Sequence, residues 1–186
     1  MFAIPLGDGA ELRPLEPWQT EEFLAHMDRA RDLVDKHIPL ARAASDLESA
    51  REVLMSYARK QADDSGRIYG IWLDSTLVGG VLFRVFDAER GNCEVGCWLE
   101  PAGTGRGLVT RAARVLIDWA VEERGIHRVE WRVSTENTPS IKVAQRLGMT
   151  REGVLREGYP YGGVRQSTEI WSVLAPEWRE RRENAG

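Results

Sequence analysis

The stretch Asn92–Trp119, N-C-E-V-G-C-W-L-E-P-A-G-T-G-R-G-L-V-T-R-A-A-R-V-L-I-D-W, sets three features in series. Cys93–Leu99 is rich in β-formers and predicts a buried strand. Leu108, Ala112, Val115, Leu116 and Trp119 recur at the spacing of one helix face. Between them lies Pro101-Ala102-Gly103-Thr104-Gly105-Arg106-Gly107, a glycine-rich turn at a helix start. Glycines let backbone N–H groups converge on one spot without Cβ obstruction. The helix start adds partial positive charge there. A strand end, an anion cradle and a helix must therefore lie side by side; the alternative is a flexible loop with a helix behind it.

Two familiar phosphate motifs fail here. A P-loop needs Lys-Ser or Lys-Thr after the last glycine, and Leu108-Val109 follows instead. The dinucleotide fingerprint needs its third glycine three residues after the second, and Gly103, Gly105 and Gly107 alternate. The 186 residues suffice for one domain, 1–186, with a real core. No apolar run approaches the roughly 20 residues of a membrane span, and no basic-then-apolar leader opens the chain. A cytoplasmic location is expected, with no membrane partner. The net charge of −4 argues against a general nucleic-acid binder. Cys93 and Cys97 lie four apart in one strand, roughly 13 Å between Cα atoms, too far for a disulfide. They read as buried free thiols on the face opposite Glu94 and Trp98, with a nucleophile as the minor alternative. His26, His37 and His127 make no metal-ligand spacing.

In chain order, Ala10–Arg13 predicts a short first strand stopped by Pro14. A helix follows from Thr20 and breaks at His37-Ile38-Pro39-Leu40. Ser45-Asp46-Leu47-Glu48 has the form of a capping box before a second helix. Arg67–Leu73 and Thr76–Phe86 predict two strands around Asp74-Ser75, with the turn type open. After the central helix, Val129–Val133 predicts a strand. Thr138 is expected as the next N-cap, with Pro139 first in the helix and Gly148 as its stop. Glu152–Glu157 and Gln166–Leu174 close the chain as strands around an aromatic-tipped loop, Gly158–Gly163, which is either an ordinary hairpin turn or a border of a ligand pocket. The order of elements implies a three-layer α/β domain with a mixed sheet.

The loop resembles the coenzyme A pyrophosphate loop of the GNAT acetyltransferases, Gln/Arg-x-x-Gly-x-Gly/Ala, with Gly105 and Gly107 at the two glycine positions. Ala102 stands where Gln or Arg is usual, so one polar contact is missing. Asn137 and Ser140, with Gly148 eleven positions after the Asn, resemble a second element of that family. Glu94–Pro101 is similar to the fourth strand of its RimJ/RimL-like branch. The resemblance implies a mostly antiparallel twisted sheet of about seven strands, splayed between the fourth and fifth and flanked by about four helices. It implies acetyl-CoA as co-substrate and no metal. Pantetheine would pair around Trp98 and Leu99, and the pyrophosphate would sit on the amides of Gly103, Thr104, Gly105, Arg106, Gly107 and Leu108. Asn137 and Ser140 would face the thiol. The partner would be an amine acceptor, a peptide N-terminus or a small molecule, with a homodimer as a further candidate.

Acetyl transfer to an amine needs a neutral amine, donors for the oxyanion and a leaving thiolate. Many GNAT members carry a Tyr seven residues after the Asn as the acid; here that position is Ala144. Ser140 is the replacement expected, unless it only satisfies the helix start. Glu94 is the expected base, because it shares a face with Trp98; Glu169 is its rival, and Glu136 and His37 follow. An N-acetyltransferase is the reading these residues support, with a non-catalytic acyl-CoA binding module as the alternative.

Overall fold

The computed structural model describes residues 3–184. Eight strands form one sheet in the order β1-β2-β3-β4-β5-β6-β8-β7. The strands are β1 (Ile4–Gly7), β2 (Ala10–Pro14), β3 (Arg67–Leu73), β4 (Thr76–Asp87), β5 (Asn92–Leu99), β6 (Arg128–Ser134), β7 (Thr150–Tyr161) and β8 (Val164–Leu174). Six helices accompany them: α1 (Thr20–Val34), α2 (Leu40–Ala43), α3 (Leu47–Ala62), α4 (Leu108–Asp118), α5 (Thr138–Arg146) and α6 (Ala175–Glu183). The extra strand β1 is a four-residue segment joined to β2 through Gly7-Asp8-Gly9, all with φ between 53° and 82°. Too short to show an alternating pattern, it turns the expected first strand into the second. The strands expected as fourth and fifth are therefore β5 and β6.

Helices cover both faces of the sheet. Phe23, Met27 and Ala30 of α1 and Leu54 of α3 pack with Ile68, Trp72, Leu82 and Trp98 on one face. Ala112, Leu116 and Ile117 of α4, Val143 and Ala144 of α5 and Trp178 of α6 pack with Ile71, Phe83, Cys93, Val95 and Trp131 on the other. The period of two in β5 divides it between these cores: Cys93 and Val95 lie in one, Trp98 in the other. Both cysteines are free. In β4 a register shift opposite Ile71/Trp72 flips the parity, so Leu77 and Leu82 share a face although their numbers differ by five. Asp74 and Ser75 have φ of 47° and 65°, the two left-handed residues of a type I′ turn, occupied here without glycine.

Two helix starts differ from expectation. The α3 N-cap is Asp46, whose carboxylate accepts the Ser49 N–H at 2.8 Å, so the box runs Asp46 to Ser49 and not Ser45 to Glu48. The α5 N-cap is Asn137, whose side-chain oxygen accepts the Ser140 N–H at 3.3 Å; Thr138 is already helical. An amide side chain one position upstream outcompetes the threonine hydroxyl.

The feature that makes a site is the split between β5 and β6. Their ladder is the one parallel pairing of the sheet, and it covers Asn92↔Arg128, Cys93↔Val129 and Glu94↔Glu130. Beyond Glu94, β5 stays paired with β4 to Leu99, and β6 stays paired with β8 to Ser134. The strands therefore diverge, and Val95–Leu99 keeps a free edge. No helix among the described residues is long and apolar enough to cross a membrane.

Candidate active site

The split opens into a cleft of about 1000 Å³. Trp98 and Leu99 of β5 form one side, and Leu33 and Val34 at the end of α1 with His37 and Ile38 just after it form a wall. The loop into α4 and the first turns of α4 and α5 complete it. Gly105 and Gly107 have φ of 76° and 69°, the left-handed region that favours glycine. A Cβ at either would meet nothing within 4 Å, so both face open space. Gly107 is the N-cap of α4, and its carbonyl accepts the Arg111 N–H at 3.1 Å. The amides of the first turn have no intrahelical acceptor and point out of the helix end. Gly103 serves differently: it is buried, and a Cβ there would lie 2.8 Å from Leu99. Thr104 lines the cleft, while Arg106 is exposed and is not among the lining residues.

The electrostatics of the lining select the ligand. Arg111, Arg114, Lys142 and Arg146 all line the cleft, and among the described residues no Asp or Glu does. The chain as a whole carries −4, so this is a local inversion of charge. The buried Thr110 hydroxyl and Arg111 Nε have no hydrogen-bond partner among the described residues. Arg111 Nη2 lies 3.2 Å from Asp8. Open glycines at a helix start, orphaned donors and four cations fit a polyphosphate. Arg111/Arg114 and Lys142/Arg146 sit three and four residues apart on their helices, a same-face spacing legible in the sequence.

Ser140 lies where α5 begins. The Trp131 indole N–H donates to Ser140 Oγ at 3.0 Å. Since indole only donates, the serine oxygen is the acceptor and its own proton is left for another group. Cys97 lies beside it, its thiol pushed up to about 12 by burial, so it is not a nucleophile at neutral pH. Asn137 lines the cleft but spends its side-chain oxygen on the cap. Ala144 is fully buried in the core.

The expected carboxylates lie elsewhere. Glu94 is buried, accepts from Arg84 Nε at 2.8 Å and has Arg132 at 3.8 Å. Glu169 accepts from Trp171 Nε1 at 2.7 Å and pairs with Arg151 at 3.1 Å. Neither lines the cleft, nor does Glu136, which is exposed in the β6–α5 turn. The tip expected as an aromatic loop is strand almost throughout, with Gly162-Gly163 as the turn. Tyr161 OH donates to the Asp35 carbonyl at 2.7 Å, and Arg42 stacks 5.5 Å from its ring. The hairpin thereby braces the segment whose Leu33, Val34, His37 and Ile38 wall the cleft.

One buried network is invisible in the sequence. Trp98 Nε1–H donates to His26 Nε2 at 2.9 Å. His26 Nδ1 must then carry the proton, which it donates to Glu100 at 2.8 Å. Arg29 holds the same Glu100 oxygen at 3.0 Å. Burial lowers the His26 pKa below its ordinary 6.5, although the Glu100 hydrogen bond opposes this. The network joins α1 to the end of β5 and fixes the Trp98 ring under the free edge. The partners lie 72 and 74 residues apart.

Residues 10–150 match the model of the acetyltransferase (GNAT) domain, and the chain belongs to that family. It is a GNAT-type acyltransferase by fold and descent. The chain is 28% identical over 179 residues to YdaF of Bacillus subtilis, provisionally named a ribosomal N-acetyltransferase, covering 96% of this chain and 98% of that one. It is 29% identical over 171 residues to YjcK of the same organism, named a probable N-acetyltransferase, covering 89% and 94%. In fold it superposes with a TM-score of 0.87 on RimL, described as a ribosomal L7/L12 α-N-protein acetyltransferase bound to coenzyme A. There the identity is 16% and the coverage 92% and 97%. Among the described residues no cluster of three or more His, Cys, Asp or Glu is placed to hold a metal.

Proposed function

We propose that the protein transfers the acetyl group of acetyl-CoA to a primary α-amino group, on a peptide or protein N-terminus or a small amine, by direct attack in a ternary complex. The observation that carries this reading is the cleft itself: a free strand edge, an amide cradle, four lining cations and no lining carboxylate. Gly103, Thr104, Gly105, Gly107 and Leu108 would hold the pyrophosphate, with the Arg106 amide in the same turn. The edge at Trp98 and Leu99 would take the pantetheine, and Ser140 and Asn137 would lie at the thioester end. Bound acetyl-CoA supplies the thioester. Ser140 Oγ–H donates toward the leaving sulfur, its orientation set by Trp131.

The α-amine preference is chemical. An α-amine has a pKa near 8 and a lysine near 10.4, so the former needs roughly 3.4 kcal/mol less to become neutral. The names of YdaF and RimL, one ribosomal and one an α-N-acetyltransferase, agree with such an acceptor. The test is acetyl-CoA with a peptide bearing a free N-terminus and an internal lysine, mapped by fragment mass spectrometry. Acetyl on the N-terminus is expected; acetyl mainly on the lysine refutes the preference. Ala144 in place of a phenolic acid favours a second reading, an acyl-CoA binding module without turnover. Binding of acetyl-CoA with no acetylated product would select it.

A further inference from the structure

At neutral pH the cleft lining offers one strong candidate to receive a proton. Arg111, Arg114, Lys142 and Arg146 are cations, and Cys97 is a protonated thiol. His37 remains. It sits in the turn between α1 and α2, in the wall made with Leu33, Val34 and Ile38. Its backbone N–H is already used, donating to the Val34 carbonyl at 3.2 Å. Its Nδ1 is buried and has no hydrogen-bond partner among the described residues. The residue lines the cleft, and an imidazole that no described group holds keeps the proton-accepting capacity a catalytic base needs.

We propose that His37 is the general base of the transfer, receiving the proton that the acceptor nitrogen sheds as it attacks the thioester carbonyl. This rests on the acetyl-transfer reading. The nitrogen lone pair forms the C–N bond, and the carbonyl π pair moves to oxygen. On collapse the C–S bond breaks and its pair leaves on sulfur. The proton lost by nitrogen goes to the imidazole, and the sulfur takes one from Ser140 or solvent. Ser140 is reprotonated by solvent, to which His37 returns its own proton, so the products are an amide and a thiol.

The surroundings keep the ring neutral. Burial lowers the His37 pKa below 6.5, the Lys36 ammonium beside it lowers it further, and the Glu136 carboxylate from the β6–α5 turn raises it. The pH dependence therefore has a readable form. Below the amine pKa near 8, log(kcat/KM) falls with unit slope as the nucleophile is protonated. Below the His37 pKa a second unit is added.

The experiment measures this profile with acetyl-CoA and two acceptor probes, a hexapeptide with a free N-terminal serine and spermidine. It compares the wild type with His37→Gln, Glu136→Gln and Lys36→Gln, and follows acetyl-CoA affinity by calorimetry. His37→Gln should lose about 10²- to 10⁴-fold in rate, keep its acetyl-CoA affinity and show only the unit slope. Glu136→Gln should move the steeper limb to lower pH, and Lys36→Gln to higher pH. A steeper limb that survives in His37→Gln overturns the assignment, even if the rate falls. So does a limb that moves in neither neighbour variant. A wild type that binds acetyl-CoA but acetylates neither probe overturns the transfer reading and this assignment together; failure in the variants alone overturns only the assignment.

Discussion

Replacing His26 with leucine tests how the free edge of β5 is held. The Trp98 indole N–H, buried and 2.9 Å from His26 Nε2, would lose its acceptor. Leaving such a donor unmet costs about 1–3 kcal/mol. Glu100, 4% exposed, would lose the donor at 2.8 Å and keep only Arg29. A hydrogen bond to a charged group contributes about 1.5–3 kcal/mol. The apolar surface that leucine buries in place of the imidazole returns about 1–2 kcal/mol. The net expectation is a loss of about 3 kcal/mol, or about 6–12 °C in Tm for a chain of this size. Urea unfolding at pH 7.5 reads it directly. Trp98→Phe removes the donor as well, so the double variant should lie closer to the wild type than the two single losses summed, by about 1 kcal/mol or more. The pH dependence has a definite sign. The folded His26 pKa lies below the unfolded 6.5, so between the two values the unfolded chain binds more protons. The stability from neutral His26 is complete above 6.5 and is lost as pH falls through the folded value. His26→Leu should remove that share of the slope. A loss under 1 kcal/mol with additive variants would refute the network as the element that fixes Trp98.

Ser140→Ala should lower kcat about 10- to 1,000-fold with little change in acetyl-CoA affinity; an unchanged rate would leave Ser140 as a helix-start residue. Trp131→Phe should cost about 5-fold in kcat, the equivalent of one hydrogen bond of about 1 kcal/mol, and should have no further effect once Ser140 is alanine. Gly80→Ala would place a Cβ 2.1 Å from the Trp98 ring and 2.4 Å from the Tyr69 carbonyl. The backbone contact cannot move aside easily, so calorimetric unfolding should show a loss of about 3 kcal/mol.

The parts legible in the sequence are those set by local chemistry. Cys93–Leu99 is β-rich and lies in β5, and Gly105 and Gly107 punctuate a helix start; the helix from Leu108 is present too, but its buried face adds Val109, Ala113 and Ile117 to Leu108, Ala112 and Leu116, while Val115 and Trp119 are only partly buried. Local chemistry decides less where two solutions compete. Asn137 and Thr138 can both cap, and only the tertiary path of β6 into α5 decides for Asn137. The β1 strand is too short to carry a period, and the bulge in β4 beside Gly79 shifts parity, which a glycine alone does not announce. Pairings over long separations were out of reach. Nothing near Glu94 in the chain announces Arg132, and nothing near Trp98 announces His26. Face-sharing with Trp98 says which side of the sheet Glu94 is on but not whether a guanidinium already holds it. The lining cations lie on α4 and α5, and their convergence needs the split between β5 and β6.

The central claim is that acetyl-CoA seats on the cradle at the start of α4. Calorimetric titration of acetyl-CoA into the wild type and Gly107→Val tests it most directly. The valine side chain would enter space with no atom within 4 Å of its Cβ, so it clashes with no packed neighbour. Its left-handed φ costs about 1–2 kcal/mol, a loss of stability that a thermal melt measures separately. The account predicts at least about a tenfold weaker Kd in the folded variant, equivalent to about 1.4 kcal/mol. Equal affinity in the two proteins would contradict it.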